Sequence, residues 1–450
     1  MKIKRLLLLF VTVTALVIAL TFAAKIKPPI LHSSLNTDEL KTISVSEPLW
    51  GSQALAVVFV DTQKFDAKAL GQRIARLGLT AAIVDDGEFF NIFTTQTEQC
   101  LGDDSINMLL TDLASQLSQP ANSQMILAGI AEGAVVPFVN ALSSSGNDAR
   151  NLSIAFSVKL PAELSLCPPL LSQHQDKFQT LTSATAIEDN WRAVWTDQPA
   201  DETGVFIRNL GNVDTRIAPY DTPLDEVLIE ELNTILGNDN QSAPPMPVVE
   251  VPTARASDSL TLFYSGDGGW RDLDRTVAGE MVGQNYPVVG VDVLRYFWEH
   301  KTPEQAAADL SATLAYYRKH WGVKSFVLAG YSFGADILPP IYNRLSPADQ
   351  DSVSLLVLLA LADHADFEIH VSGWLGQAGG ELALAPELAK MPKQKILCVY
   401  GVEEKTQTAC TGLANTAARL LELPGGHHFD QDYPKLTDQI LDVYRQHNIH

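Results

Sequence analysis

Two stretches of this chain repeat one order of strand-like and helix-like segments at an offset of roughly 200 residues, and no other feature constrains the fold as strongly. In the first stretch, Leu55–Val60 reads as a strand, a helical segment follows, and Leu79–Asp85 reads as the next strand. Leu260–Tyr264 and Tyr286–Asp292 take the same places in the second. Met125–Ala134 then aligns with Phe326–Ala335, and Arg192–Trp195 with Ile396–Tyr400. Each stretch closes with an amphipathic helix, Leu224–Leu236 and Lys435–Gln446. Short apolar strands alternating with helices predict a mainly parallel sheet covered on both faces. Runs such as Ser354–Ala360 suit strands buried on both sides. Thr302-Pro303-Glu304-Gln305 carries a capping Thr, Pro at the first helical position and Gln in the capping-box place, so a helix starts there.

A chain of 450 residues exceeds one ordinary core. Polar, Pro-rich stretches at 25–48 and 237–258, the second with Pro244, Pro245, Pro247 and Pro252, read as linkers. They leave domains at 49–236 and 259–450. Residues 1–24 begin Met1-Lys2-Ile3-Lys4-Arg5 and continue as an apolar run from Leu6 to Ala24. This is the pattern of an export signal, or of an uncleaved anchor with its basic end in the cytoplasm. Either places the remaining chain outside the cytoplasmic membrane. In that oxidising setting the four cysteines suggest two disulfides, and of three connectivities the reading favours Cys100–Cys167 and Cys398–Cys410, one in each half. Their spacing is not that of a metal site, and no metal or other cofactor is expected. A net charge of −21 argues against a nucleic-acid partner.

The second block carries the chemistry. Gly330-Tyr331-Ser332-Phe333-Gly334 is a G-x-S-x-G motif between an apolar strand, Ser325–Ala329, and a helical run, Ala335–Leu345. That context is the nucleophile elbow of an α/β-hydrolase, with Ser332 at the apex. A serine hydroxyl needs a base. Gly425-Gly-His427-His428, after the last strand, offers His427, with His428 as the rival. The acid belongs between serine and histidine in chain order. Glu404, in the loop after Ile396–Tyr400, is the choice, with Glu403 and Asp363 as rivals. An oxyanion hole would take the Phe333 N–H and a donor from the glycine-rich loop Ser265–Trp270, assigned to Asp267.

The first block lacks this equipment. Ala131 stands where the second has Ser332, and no Gly-Gly-His follows its last strand. The fold class expected is therefore two tandem α/β-hydrolase-like domains with mainly parallel sheets, the first a degenerate, non-catalytic copy.

Gly330–Pro339, Tyr342-Asn-Arg-Leu345, Asp366-Phe-Glu-Ile-His370 and Gly425–Asp430 resemble the VirJ/AcvB family of bacterial virulence-associated exported proteins. The resemblance covers residues 255–450, and the N-terminus and extra block resemble the longer, AcvB-type form. It implies a periplasmic hydrolase that cleaves the aminoacyl ester of aminoacylated phosphatidylglycerol, notably the lysyl form, at a membrane surface. Ser332 carries over directly, the histidine to the His427–His428 pair, and the acid to Glu403–Glu404. An ammonium on the acyl side would suit an acidic pocket, for which Asp336 and Asp267 are candidates. An insertion containing Trp374 could cover the lipid, with Trp270, Tyr296, Phe297 and Trp298 at the mouth or in the core. The alternative function is an exported binding module for a secretion or virulence partner, keeping a vestigial site.

Overall fold

The computed structural model describes residues 29–37, 40, 42–94, 96–97, 99–117, 124–142, 149–168, 170–184, 187–210, 213–237, 244–369 and 380–447. The expected signal or anchor and Trp374 lie outside these residues. The chain folds as two compact units. One runs to Ala193 and adds Phe206–Asp214 and Pro223–Asn238; the other holds Val194–Val205, Thr215–Thr222 and Asp239–His450. The second unit thus takes in two short segments that the sequence reading placed in the first domain.

The first sheet has eight strands: β1 (Ile30–Leu35), β2 (Ile43–Pro48), β3 (Ala54–Val60), β4 (Thr80–Asp85), β5 (Gln124–Ile130), β6 (Arg150–Ile154), β10 (Trp191–Trp195) and β11 (Asp214–Ile217). Their order is β1-β2-β4-β3-β5-β6-β10-β11. A small antiparallel sheet, β7 (Lys159–Pro161), β8 (Leu171–His174) and β9 (Phe178–Ser183), is inserted after β6. The second large sheet has β12 (Val248–Val251), β13 (Ser259–Tyr264), β14 (Val288–Val291), β15 (Ser325–Tyr331), β16 (Val353–Leu359), β19 (Ile396–Gly401) and β20 (Arg419–Leu423), in the order β12-β14-β13-β15-β16-β19-β20. A two-stranded piece, β17 (His364–Ala365) with β18 (Leu382–Ala383), follows β16. Strand for strand, β2, β4, β3, β5, β6, β10 and β11 repeat the order of β12, β14, β13, β15, β16, β19 and β20. In each sheet one antiparallel strand, β2 or β12, flanks a parallel centre.

The central strands are apolar on both faces because helices cover both. All seven residues of β3 are buried, as are six of seven in β16. The helix Pro303–Trp321 starts at the expected capping box, with Thr302 Oγ1 accepting from the Gln305 N–H and Gln305 Oε1 from the Thr302 N–H. It ends at Gly322 in the left-handed region.

Both expected linkers prove to contain sheet edges. Residues 25–48 supply β1 and β2, and 237–258 supplies β12. Val248–Val251 is bracketed by Pro247 and Pro252, and proline is tolerated at a sheet edge. Proline content therefore marked the edge of the sheet as well as the junction. Trp270, Tyr296, Phe297 and Trp298 are all buried core residues. Trp270 packs on β14 so closely that a Cβ at Gly290 would lie 2.3 Å from its ring.

Candidate active site

Ser332 joins β15 to the helix Phe333–Asn343 with φ 52° and ψ −122°, a conformation most side chains avoid. Its surroundings hold it there. A Cβ at Gly330 would lie 2.3 Å from the Gly334 carbonyl oxygen, and one at Gly334 would lie 2.4 Å from those of Ser265 and Tyr264. Only glycine allows these approaches. The Ser332 N–H donates to the Leu359 carbonyl at 2.9 Å, tying the apex to β16.

Three side chains meet at this apex. His427 Nε2 lies 2.8 Å from Ser332 Oγ, and His427 Nδ1 lies 2.7 Å from Glu404 Oε1. Glu404 closes a short helical turn, Val402–Glu404, directly after β19. A Cβ at Gly401 would lie 2.3 Å from the Gly426 carbonyl oxygen, so the acid-bearing and histidine-bearing loops pack backbone on backbone. The rivals are engaged elsewhere. His428 Nδ1 bonds the Tyr331 hydroxyl at 2.9 Å, Asp363 pairs with His364 at 2.9 Å, and Glu403 lies beneath Gly426. With Nδ1–H donated to the carboxylate, Nε2 is left to accept the serine proton. Tyr331 was not singled out in the sequence because its position in G-x-S-x-G admits any residue.

Phe333 opens the elbow helix, where a first-turn N–H has no intrahelical acceptor. Gly266 lies beside the apex, where a Cβ would stand 3.9 Å from Ser332 Cβ, and Asp267 follows. Two buried carboxylates support this loop, Asp274 and Asp292. Burial pushes Asp274 well above the usual carboxylate range, against the opposing effect of the Gly266 and Arg271 N–H groups. Burial also raises Asp292, opposed by Arg295 and by the Arg295 and Trp270 N–H groups. Neither aspartate was singled out in the sequence: Asp274 falls in the first turn of the helix Asp272–Gly283, and Asp292 was read only as the end of the strand Tyr286–Asp292.

Asp336 stands one turn beyond the serine, and its Oδ1 accepts from the Ala362 N–H at 2.7 Å. Burial raises its pKa to about 8, with Asp366, Asp363 and Asp267 adding to the rise and the Ala362 N–H opposing it. Its carboxyl braces the chain after β16 and does not touch the serine–histidine–glutamate line. Among the described residues no group of three or more His, Cys, Asp or Glu side chains could hold a metal ion.

The first block keeps the elbow without its chemistry. Ala131 follows β5 with φ 54°. A Cβ at Gly129 would lie 2.0 Å from the Gly133 carbonyl oxygen, and one at Gly133 would lie 2.4 Å from that of Phe59. Ala155 and Ala360, after β6 and β16, also match, with φ 56° and 55°.

A mainly parallel sheet of this strand order, with a strained turn between its central strand and the following helix, is the α/β-hydrolase fold, here present twice. Within that class the second block is VirJ-like: residues 258–448 match the family model described as bacterial virulence protein (VirJ). No curated protein matches the chain. Similar solved structures include Est1E from Butyrivibrio proteoclasticus with ferulic acid bound, at 14% identity and TM-score 0.34, covering 46% of this chain and 96% of that one. The Pyrococcus furiosus esterase Pf2001 shows 13% identity and TM-score 0.33, covering 46% and 93%. MenH from S. aureus shows 14% and 0.32, covering 45% and 98%. The fold assignment rests on sheet order and elbow geometry, not on these likenesses. The two disulfides, Cys100–Cys167 and Cys398–Cys410, fit an exported protein.

Proposed function

We propose that the second block is a serine esterase and that its substrate is the aminoacyl ester of aminoacylated phosphatidylglycerol, met in the periplasm at the membrane surface. The observation that carries the esterase reading is the pair of short hydrogen bonds linking Ser332, His427 and Glu404 at a strained elbow. Ser332 Oγ attacks the ester carbonyl while His427 Nε2 takes its proton. The Phe333 and Asp267 N–H groups receive the developing oxyanion. Collapse breaks the bond to the lipid oxygen, which leaves as the hydroxyl by taking the proton from His427, and leaves the aminoacyl group on Ser332. Water, activated by the same histidine, then frees the amino acid.

The family resemblance supports the substrate. Burial keeps Asp336 protonated up to about pH 8, and an ammonium bound near it would favour its charged form. An uncleaved N-terminal segment would tether the enzyme to the inner membrane.

The test uses purified protein and vesicles containing lysyl-phosphatidylglycerol. Ser332→Ala should abolish lysine release and fluorophosphonate labelling while leaving the thermal transition intact. Glu404→Gln should lower kcat by about 100-fold or more, because the imidazole loses its orienting carboxylate. Ser332-dependent labelling without lysine release would overturn the substrate but keep the esterase. Folded protein that fails to label at Ser332 would favour the binding-module reading.

A further inference from the structure

The loop Ser265–Arg271 contains Gly266, Gly268 and Gly269, and Gly269 has φ 82°. Such a loop cannot hold an N–H at a fixed point by its own stiffness, yet an oxyanion donor is effective only when pre-positioned. Asp274 and Asp292 support it from the core side. The Arg271 side chain packs against it as well. Its guanidinium lies against Gly268, where a Cβ would come 2.9 Å from Nη2 and 3.0 Å from Nε. Arg271 Nη1 donates to Asp197 Oδ2 at 2.8 Å, and Cζ lies 5.1 Å from the centre of the Tyr220 ring. A planar guanidinium gripped by a carboxylate and an aromatic face has little freedom left.

Asp197 and Tyr220 lie in Val194–Val205 and Thr215–Thr222, the two short segments that fold with the unit containing the elbow. They follow β10 and β11. By sheet order these strands hold the places of β19 and β20, whose loops carry Glu404 and His427. We infer that the loops where the first block would carry its own acid and histidine serve instead as a clamp on Arg271. Asp197 and Tyr220 are thus positioning residues for the oxyanion loop, acting through Arg271 on Gly268 and the neighbouring Asp267 N–H.

The inference rests on the serine-esterase reading, and the test separates the two. Turnover of 4-nitrophenyl butyrate by the full chain is measured for wild type, Ser332→Ala, Asp197→Ala, Asp197→Glu, Tyr220→Ala and Arg271→Lys. Inhibition by an alkyl trifluoromethyl ketone, whose serine adduct places an oxyanion in the hole, is measured alongside. Asp197→Ala, Tyr220→Ala and Arg271→Lys should each lower kcat by about tenfold with KM within about twofold, and should weaken the ketone in proportion. Asp197→Glu should recover most of the loss, and thermal midpoints should stay put. Unchanged kcat in the folded variants overturns the clamp, as does a fall in kcat without weaker ketone inhibition. Should Asp197→Ala not fold, Arg271→Lys, which retains the charge, gives the same reading. Absence of Ser332-dependent turnover in the wild type overturns the esterase reading and the clamp with it.

Discussion

Asp336, one turn beyond Ser332, ties stability to pH. Its pKa in the fold is about 8, raised first by burial, against an ordinary value of 3.8. Between those values the folded state holds a proton that the unfolded state has released, so stability falls as pH rises from about 4 to about 8. Asn in its place could still accept from the Ala362 N–H but carries no charge to desolvate. Asp336→Asn should therefore melt about 5 °C higher than wild type at pH 8.5 and at nearly the same temperature at pH 4, by calorimetry of the second unit's transition. A constant difference across that range would show that the carboxyl is not the titrating cause. Ser332, His427 and Glu404 were readable in the sequence because each follows a strand end with a local signature of glycines or charge. Arg271, Asp197 and Tyr220 were not, because nothing in a linear pattern brings positions 197 and 220 to 271.

The elbow is the element that both blocks share most closely. The apex residue is at φ 52° in one and 54° in the other, and each glycine after it leaves no room for a side chain. Gly334→Ala and Gly133→Ala should each cost about 3 kcal/mol or more, measured by urea unfolding, because the added methyl meets backbone that cannot move aside. Geometry alone does not make a nucleophile. Ala131→Ser should give no new fluorophosphonate labelling in a Ser332→Ala background, since β10 and β11 lead to no acid–histidine pair. New labelling would mean that the first block kept more of its site than its residues suggest. Strands and elbows were legible because a buried parallel strand is a continuous apolar run and an elbow is five residues long. The strands β1, β2 and β12, at or next to a sheet edge, were read as linkers because their short, half-polar runs sit among prolines and polar residues.

At the scale of the molecule, the two disulfides differ in what they close. Cys100–Cys167 spans 67 residues of sequence and Cys398–Cys410 only 12. Loop-closure entropy puts the first at about 4 kcal/mol and the second at about 3 kcal/mol. Replacing Cys100 and Cys167 by Ala should accordingly lower the first unit's transition more than the matching pair of changes lowers the second's, followed by scanning calorimetry. The reverse order would point to native-state packing around the short bridge. A chain that carries one sheet order twice also faces a hazard while it is still unfolded. Any strand of one copy could be taken up by the half-formed sheet of the other, and parallel sheets assemble slowly enough to expose that choice. The proline-bracketed edge strand works against such an exchange. Pro247 and Pro252 have no N–H to give, so pairing begun on Val248–Val251 stops after four residues in whichever sheet it starts. The punctuation that separates the two blocks in the sequence thereby also sets the length of the ladder that closes this edge of the second sheet.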